Sequence, residues 1–132
     1  MIFFLDTNIC IDFLKGHKDV IEHLIKYYHP SQIKISTIVR AELIHGAFKS
    51  QNSHKNLEKV NSFLEPFEVV SFDIKASNIY GQIRAELEKR GEIIGPMDLL
   101  IAATVISHEG VLITENKKEF LRIEQLKIFT SI

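Results

Sequence analysis

Carboxylate and amide side chains follow several short apolar runs in this chain of 132 residues. Asp6 comes directly after the first run, and Asp98 stands at the head of a later apolar segment. A second strand-like run leads to Glu42, and another ends just before Asn116. In open α/β sheets, ligands bind at the carboxyl ends of the strands. Four oxygen-bearing side chains gathered there would form a cage of the kind that hard divalent cations prefer.

Each of these residues also has an ordinary structural explanation. Asp6 could cap the first helix, because aspartate is a favoured N-cap residue. Glu42 could be a solvated helix residue paired with a nearby base, and Asp98 in a first helical turn would gain about 0.3–1 kcal/mol from the helix dipole. Asn116 and Glu119 could serve a turn and the start of a helix. The metal-site hypothesis therefore depends on the recurrence of such residues after successive strands.

Asp98 is the sharpest single candidate, because five apolar residues follow it at 99–103. We expect its surroundings to be largely dry, and an unpaired carboxylate in such surroundings is costly. A bound cation would serve as its partner. Carboxylate ligands with few nearby His or Cys residues favour Mg²⁺ or Mn²⁺ over zinc. The segment Glu42-Leu43-Ile44-His45 has the Glu-x-x-His spacing of di-iron bundles, but that architecture needs two copies on four helices.

The remaining sequence predicts the elements that would position these side chains. Short apolar runs rich in β-branched or aromatic residues predict strands, at 2–5, 33–36, 67–70, 111–114 and 127–129. Apolar stripes at helical spacing lie within 20–28, 57–64 and 76–87, and the continuous apolar segment 97–106 predicts a buried helix.

Helix boundaries are indicated by residues with known end preferences. Asp73 suits the N-cap of the third striped helix, Gly91 suits its C-terminal stop, and Pro96 suits the first turn of the buried helix. Alternating short strands and helices predict an α/β sandwich with a mostly parallel central sheet and helices on both faces. We expect a single domain over 1–132, because no linker or repeat divides the chain.

Composition narrows the class of protein. The chain has 45% hydrophobic and 25% charged residues and a net charge of -1, which argues against a broad basic surface that binds nucleic acid by charge alone. The single cysteine, Cys10, is expected to be a buried apolar residue. No run approaches the roughly 18 apolar residues of a membrane span. We expect a cytoplasmic protein with no membrane partner.

Four segments together match a known family in order and spacing. These are LDTN at 5–8, AELIHG at 41–46, GPMD at 95–98 with IAA at 101–103, and LITEN at 112–116 with Glu119-Phe120. They resemble the PIN-domain ribonucleases, and within these the VapC toxins of bacterial toxin–antitoxin pairs. The resemblance covers essentially the whole chain and implies a PIN-like α/β sandwich.

The resemblance implies a metal-dependent endoribonuclease whose acidic triad, Asp6, Glu42 and Asp98, holds Mg²⁺ or Mn²⁺. Many family members carry a fourth acid where this chain has Asn116, and Glu119 is a candidate substitute one helical turn later. Hydrolysis of the phosphodiester by water would leave a 5′-phosphate and a 3′-hydroxyl, with no nucleophilic side chain needed.

Other residues are expected to orient this site or to contact the substrate. The residues expected to surround the site are Thr7, Asn8, Thr114, Glu119 and Arg84. The candidates for phosphate contacts are Lys15, Arg40, Arg84 and Lys117, although each could simply be a solvated surface cation.

The resemblance also implies partners. VapC-like toxins usually form homodimers, assemble further with a cognate antitoxin whose C-terminal segment occupies the active-site groove, and cut tRNA or ribosomal RNA.

Two other functions remain open from the residues alone. Asp6 could be the nucleophile of an aspartyl-phosphate phosphatase of the haloacid-dehalogenase type. The segment Asp6-Thr7-Asn8-Ile9-Cys10 lacks that family's second aspartate and its later threonine. A PIN-like scaffold that binds protein or RNA without catalysis is the third alternative, and the complete acidic triad argues against it.

Overall fold

The computed structural model describes residues 1–129. The expected domain of 1–132 thus ends in three residues, 130–132, that lie outside the described part. The described strands form one parallel sheet in the order β3-β2-β1-β4-β5. They are β1 (Phe3–Leu5), β2 (Ile33–Ser36), β3 (Glu68–Val70), β4 (Val111–Ile113) and β5 (Lys127–Phe129). The predicted parallel sheet is confirmed.

Helices alternate with the strands as the sequence pattern predicts. Over the described residues they are α1 (Thr7–Leu14), α2 (Asp19–Tyr27), α3 (Thr37–Lys49), α4 (Ser53–Leu64), α5 (Ile74–Arg90), α6 (Pro96–Ser107) and α7 (Lys117–Phe120). None of these helices has the length and apolar composition that crossing a bilayer requires.

The predicted helix ends are confirmed. The Asp73 carboxylate accepts the backbone N–H of Ala76 at 2.9 Å and caps α5. Gly91 ends that helix with φ of 66°, in the left-handed region that glycine adopts at little cost. Pro96 occupies the first turn of α6, where its missing N–H leaves no hydrogen bond unmade.

Both faces of the sheet are covered. Every residue of β1 and β4 is buried, so neither strand has a face open to water. Helix α3 packs against α1 and α4, and α5 packs against α6. The chain passes from β1 through β2 to β3 and then returns across the sheet to β4, so crossovers of the usual right-handed kind put these two groups of helices on opposite faces. Cys10 is fully buried in the core, as expected.

The strand register brings the expected polar residues to one edge. Leu5 pairs with Ile113 in the β1–β4 ladder, so the residues that follow these two strands become neighbours. Ser36 ends β2 and caps α3 by accepting the backbone N–H of Val39 at 3.1 Å. The strand after 110 ends one residue earlier than predicted, because Thr114 has already left the ladder.

Candidate active site

Asp6 lies at the junction between β1 and α1 and is only 4% exposed. Its Oδ1 accepts the backbone N–H of Thr7 at 2.9 Å. Its Oδ2 accepts the hydroxyl of Thr114 at 2.6 Å, from the neighbouring strand end. Asp6 is therefore the N-cap residue of α1, but it is also fixed from a second side, which a helix cap does not require.

Thr114 connects the end of β4 to this carboxylate. Its oxygen donates to Asp6 and accepts the backbone N–H of Asn116 at 3.0 Å. One hydroxyl thus ties Asp6 to the turn that carries Asn116. The chain folds this way because Leu5 and Ile113 are paired, so the next residue of each strand is within reach.

Glu42 comes from α3, and Thr7 holds it. The Thr7 hydroxyl donates to Oε1 of Glu42 at 2.6 Å. The backbone N–H of Thr7 already binds Asp6, so a single residue positions two of the three expected carboxylates. Thr7, one of the residues expected to surround the site, thus contacts both of these carboxylates.

Asp98 lies in the first turn of α6, as predicted. Its side chain is more exposed to solvent than that of Asp6. Its side chain is half-buried, whereas Asp6 is buried among strand ends. The prediction of a largely dry Asp98 is therefore wrong in degree. The apolar residues that follow it point into the core, while the first turn itself faces an open cavity.

That cavity brings the expected residues together. We call it the carboxylate pocket; its volume is about 260 Å³, and its lining is Asp6, Thr7, Asn8, Ile11, Glu42, His45, Asp98 and Asn116. The four residues predicted for catalysis therefore share one cavity, although they come from four separate parts of the chain.

Negative charge accumulates in this pocket. Burial raises the pKa of the Asp6 carboxyl above its ordinary value, and the Glu42 charge adds to that rise. The hydrogen bonds from Thr114 and Thr7 oppose it. The pKa of Asp98 is raised to about 6, first by burial and then by the charges of its acidic neighbours, which are Asp6, Glu119 and Glu42. The carboxylates repel one another, and a cation between them would relieve that repulsion.

The donor set fits a hard divalent cation. The pocket offers carboxylate, amide and hydroxyl oxygens, which are the ligands that Mg²⁺ and Mn²⁺ favour. Within residues 1–129, no three His, Cys, Asp or Glu side chains are already disposed to enclose an ion. These side chains would therefore have to move closer together on binding.

Asn116 and Glu119 approach the pocket from the start of α7. Asn116 precedes that helix, but its side chain makes no capping hydrogen bond, and it lines the pocket. Glu119 lies outside the lining yet close enough for its charge to raise the pKa of Asp98. Asn116 thus faces the pocket itself, while Glu119 reaches it through a side-chain hydrogen bond with Asp98.

The predicted cationic residues are placed differently from one another. Arg84 is exposed on α5, where its guanidinium donates to the Tyr80 hydroxyl at 2.6 Å, and it does not line the pocket. Arg40 is exposed on α3. Lys117 lines a separate cavity beside β4 and β5. Lys15 lies in a groove that adjoins the pocket.

Two pocket residues were not predicted as site residues. Ile11 and His45 line the carboxylate pocket. The signal for His45 was present in the Glu-x-x-His spacing, since residues three apart on a helix share a face. In this fold the spacing places His45 beside the pocket, with no second copy of the di-iron pattern present.

Comparisons with known proteins agree with this geometry. A family model described as the PIN domain matches residues 3–126. The chain is 42% identical over 127 residues to "Ribonuclease VapC2" of Rickettsia felis, covering 96% of this chain and 95% of that protein. It is 40% identical over 128 residues to "tRNA(fMet)-specific endonuclease VapC" of Salmonella typhimurium, with 96% and 95% covered.

Solved structures show the same relationship. The chain is similar to the VapBC2 structure of Rickettsia felis bound to a promoter DNA fragment, with a TM-score of 0.90, 40% identity and 100% of both chains covered. It is also similar to the DNA-bound VapBC structure of Salmonella typhimurium, with a TM-score of 0.91, 38% identity and 98% and 97% covered.

Proposed function

The chain belongs to the PIN-domain family, and from that premise we propose that it is a metal-dependent endoribonuclease toxin of the VapC type. The observation that carries this proposal is the convergence of Asp6, Glu42 and Asp98 in one pocket. Two of these carboxylates are held by hydroxyl groups from outside their own helices or strands. We also propose that 1–132 forms a single nuclease domain.

The PIN-domain family implies a divalent metal, and the proposed ion is Mg²⁺ or Mn²⁺. Asp6, Glu42 and Asp98 would hold it, with the Asn116 amide as a further oxygen donor. When bound, such an ion polarises a phosphoryl oxygen and lowers the pKa of a bound water.

The residues of the chain prepare the site for that chemistry. Thr114 and the Thr7 N–H favour the charged form of Asp6, which burial disfavours. Each carboxylate oxygen has two lone pairs, so the oxygens that accept these hydrogen bonds retain acceptor capacity. The Thr7 hydroxyl orients Glu42 by donating to its Oε1. Hydrolysis would release a 5′-phosphate and a 3′-hydroxyl.

The proposed substrate is structured RNA, and transfer RNA is the first class to test. The Salmonella relative is named a tRNA(fMet)-specific endonuclease, while ribosomal RNA is the other class that VapC-like toxins cut. Folded RNA is recognised mainly by shape and by bases splayed out of single-stranded regions. Asn8, exposed at the mouth of the pocket, is a candidate substrate contact.

The proposed partner is a cognate antitoxin. The similar solved structures are toxin–antitoxin complexes. We propose that this chain forms a homodimer in the cytoplasm, is silenced by a small antitoxin, and joins it in a larger assembly.

Cleavage of purified tRNA tests this proposal. Cleavage products with a 5′-phosphate should appear with Mg²⁺ or Mn²⁺, stop on addition of chelator and return when metal is restored. Cleavage that persists in excess chelator would contradict the metal-dependent mechanism. Absence of any cleavage, with RNA binding retained, would instead favour the non-catalytic scaffold.

A further inference from the structure

A second concentration of charge lies beside the carboxylate pocket. A wide cavity of about 830 Å³ between the end of α1 and helix α4 is bordered by Lys15, Lys18, Lys55 and Lys59, which we call the lysine patch. Glu58 is the one acid among the described residues lining that cavity. The formal charge there is +3, so the rest of a chain with net charge -1 sums to -4.

The positive charges of the lysine patch are not neutralised by neighbours. Among residues 1–129, none of the four lysines forms an ion pair. Glu58 instead lies 3.1 Å from the imidazole of His54, one helical turn away on α4. Lys18 Nζ lies 5.3 Å from the centre of the Phe13 ring. Isolated surface lysines are usually solvated, but four that border one cavity without ion pairs indicate an anionic partner.

Aromatic packing fixes the spacing of these lysines. Phe13 on α1 and Phe63 on α4 pack with their ring centres 5.1 Å apart, which holds the end of α1 against α4. Lys55 and Lys59 are one helical turn apart and share a face of α4. The lysine patch is therefore built on a rigid apolar base that sets where its charges can reach.

A groove joins the lysine patch to the carboxylate pocket. It has a volume of about 290 Å³, and Ile11 and Glu42 line both this groove and the pocket. Its other end shares Leu14, Lys15 and Lys59 with the cavity of the lysine patch. Ile11 and Lys15 are four residues apart on α1, a rise of about 6 Å. One extended strand can therefore contact both regions.

We propose that the lysine patch binds the RNA backbone, on the same strand whose scissile phosphate enters the carboxylate pocket. This inference rests on the proposed function for the identity of the reacting bond. A pocket with three carboxylates repels a polyanion, and the overall charge of the chain adds no attraction. The lysine patch supplies that attraction locally, and the shared groove places it along the path of the strand whose bond would be cut.

Salt-dependent RNA binding tests this assignment. The probe is a fluorescein-labelled tRNA anticodon stem-loop, and binding is measured by anisotropy over a series of KCl concentrations. All proteins carry Asp98→Asn, so that the RNA stays intact. Each lysine that leaves a phosphate lowers the steepness of the fall of log K with log salt, which is the magnitude of the negative slope, by roughly 0.7–0.9. Lys55→Gln with Lys59→Gln should lower it by roughly 1.5 and weaken binding roughly 10-fold near physiological salt.

A charge-matched pair of substitutions provides the control. Lys75 and Lys89 are exposed on α5, which packs on α6, and neither borders the lysine patch. Lys75→Gln with Lys89→Gln changes the net charge equally and should leave both slope and affinity at the parent values. Equal effects of the two pairs would mean that the net charge of the chain, and not the lysine patch, determines RNA binding. That outcome would overturn the proposal. Melting curves confirm that each variant is folded.

Two further outcomes separate this inference from the proposed function. A difference in slope between the two pairs supports the lysine patch even if the wild-type chain cleaves no RNA, in which case only the nuclease proposal fails. Unchanged RNA binding in Lys55→Gln with Lys59→Gln, together with lost affinity for a polyglutamate peptide, would assign the surface to an acidic protein and overturn the RNA proposal.

Discussion

The carboxylate pocket and the lysine patch stand at the two ends of one groove, and they hold charge in different ways. Asp6 is buried, and each of its two oxygens accepts a hydrogen bond. The lysine patch is exposed, and its lysines make no ion pair among the described residues. Groups that act on a reacting bond must be fixed in place, whereas groups that attract a polyanion act over a distance and can stay mobile. Substitutions in the carboxylate pocket should therefore impair the reaction step, whereas substitutions in the lysine patch should impair RNA binding.

The largest expected effect is the loss of cleavage on Asp98→Asn. An asparagine keeps the shape of the side chain but removes a charge that a divalent cation needs. Loss of metal stabilisation worth several kcal/mol should lower kcat about 10³-fold. The measurement is single-turnover cleavage of a labelled RNA, and losses in the lysine patch should instead appear in KM.

Glu115→Gln is the matched control for this substitution. Glu115 is an exposed acid next to Thr114 and Asn116, but it does not line the carboxylate pocket. Its replacement should leave kcat at the wild-type value. An equal loss in both variants would show that general negative charge, and not the pocket, supports cleavage.

The next effect is metal-dependent stability. A ligand that binds only the folded state adds about 2.7 kcal/mol when its concentration is 100 times Kd. For a domain of this size, such a gain corresponds to a rise in Tm of about 10 °C. Thermal melting with Mn²⁺ should show this rise in the wild-type chain and not in Asp98→Asn. If Asp98→Asn kept the full Mn²⁺-dependent rise in Tm, Asp98 would not be a metal ligand, and the two ends of the groove would not differ as described.

Thr114→Val should have a smaller effect that depends on the hydroxyl. Valine keeps the volume of threonine but removes the donor to Asp6 and the acceptor for the Asn116 N–H. Loss of such an orienting group typically lowers metal affinity or activity about 10–100-fold. Thr114→Ser restores the hydroxyl and should recover most of the loss in Mn²⁺ affinity, measured by calorimetry. Equal affinities in the valine and serine variants would mean that packing alone matters here.

The smallest expected effect is the pH dependence of stability without metal. The pKa of Asp98 is raised from 3.8 to about 6 in the folded chain, so the native state binds more protons than the unfolded state between these values. Stability should therefore fall as pH rises through this window and stay low above it. After allowance for solvent screening of a half-exposed group, the contribution is about 1 kcal/mol.

Urea unfolding in chelator, at acidic and at neutral pH, measures this contribution. Asp98→Asn should reduce the decline, leaving the part that comes from the raised pKa of Asp6, and should be more stable than the wild-type chain near neutral pH, although it is inactive. Substitutions in the lysine patch should leave the pH dependence as it is. A wild-type chain that becomes more stable as pH rises through this window would contradict the assigned direction of the Asp98 pKa.

Local patterns were enough to predict most of the fold. The apolar runs gave the five strands to within a residue at each end, and Asp73 and Gly91 marked the ends of α5 as predicted. The closeness of Asp6 and Asn116 was also predictable, because parallel strands bring their carboxyl ends to one edge. Asp98 reaches that edge differently, in the first turn of the helix that leads into β4.

Features that depend on contacts between distant helices were not predictable. The sequence placed Lys15 only as one candidate cation, because nothing local shows that Phe13 packs on Phe63 and brings α4 beside it. That Asp6 is more buried than Asp98 likewise depends on a distant contact. Thr114, which donates a hydrogen bond to Asp6, lies 108 residues away from it along the chain. Arg84 was grouped with the site by its charge, but its contacts lie within α5.

Diffraction from crystals soaked in Mn²⁺, collected at a wavelength with strong manganese anomalous scattering, tests the central claim most directly. We expect an anomalous peak in the carboxylate pocket within coordination distance of Asp6, Glu42 and Asp98, and its loss in Asp98→Asn. A fully occupied manganese site elsewhere on the chain, with this pocket empty, would contradict the assignment of these carboxylates as metal ligands.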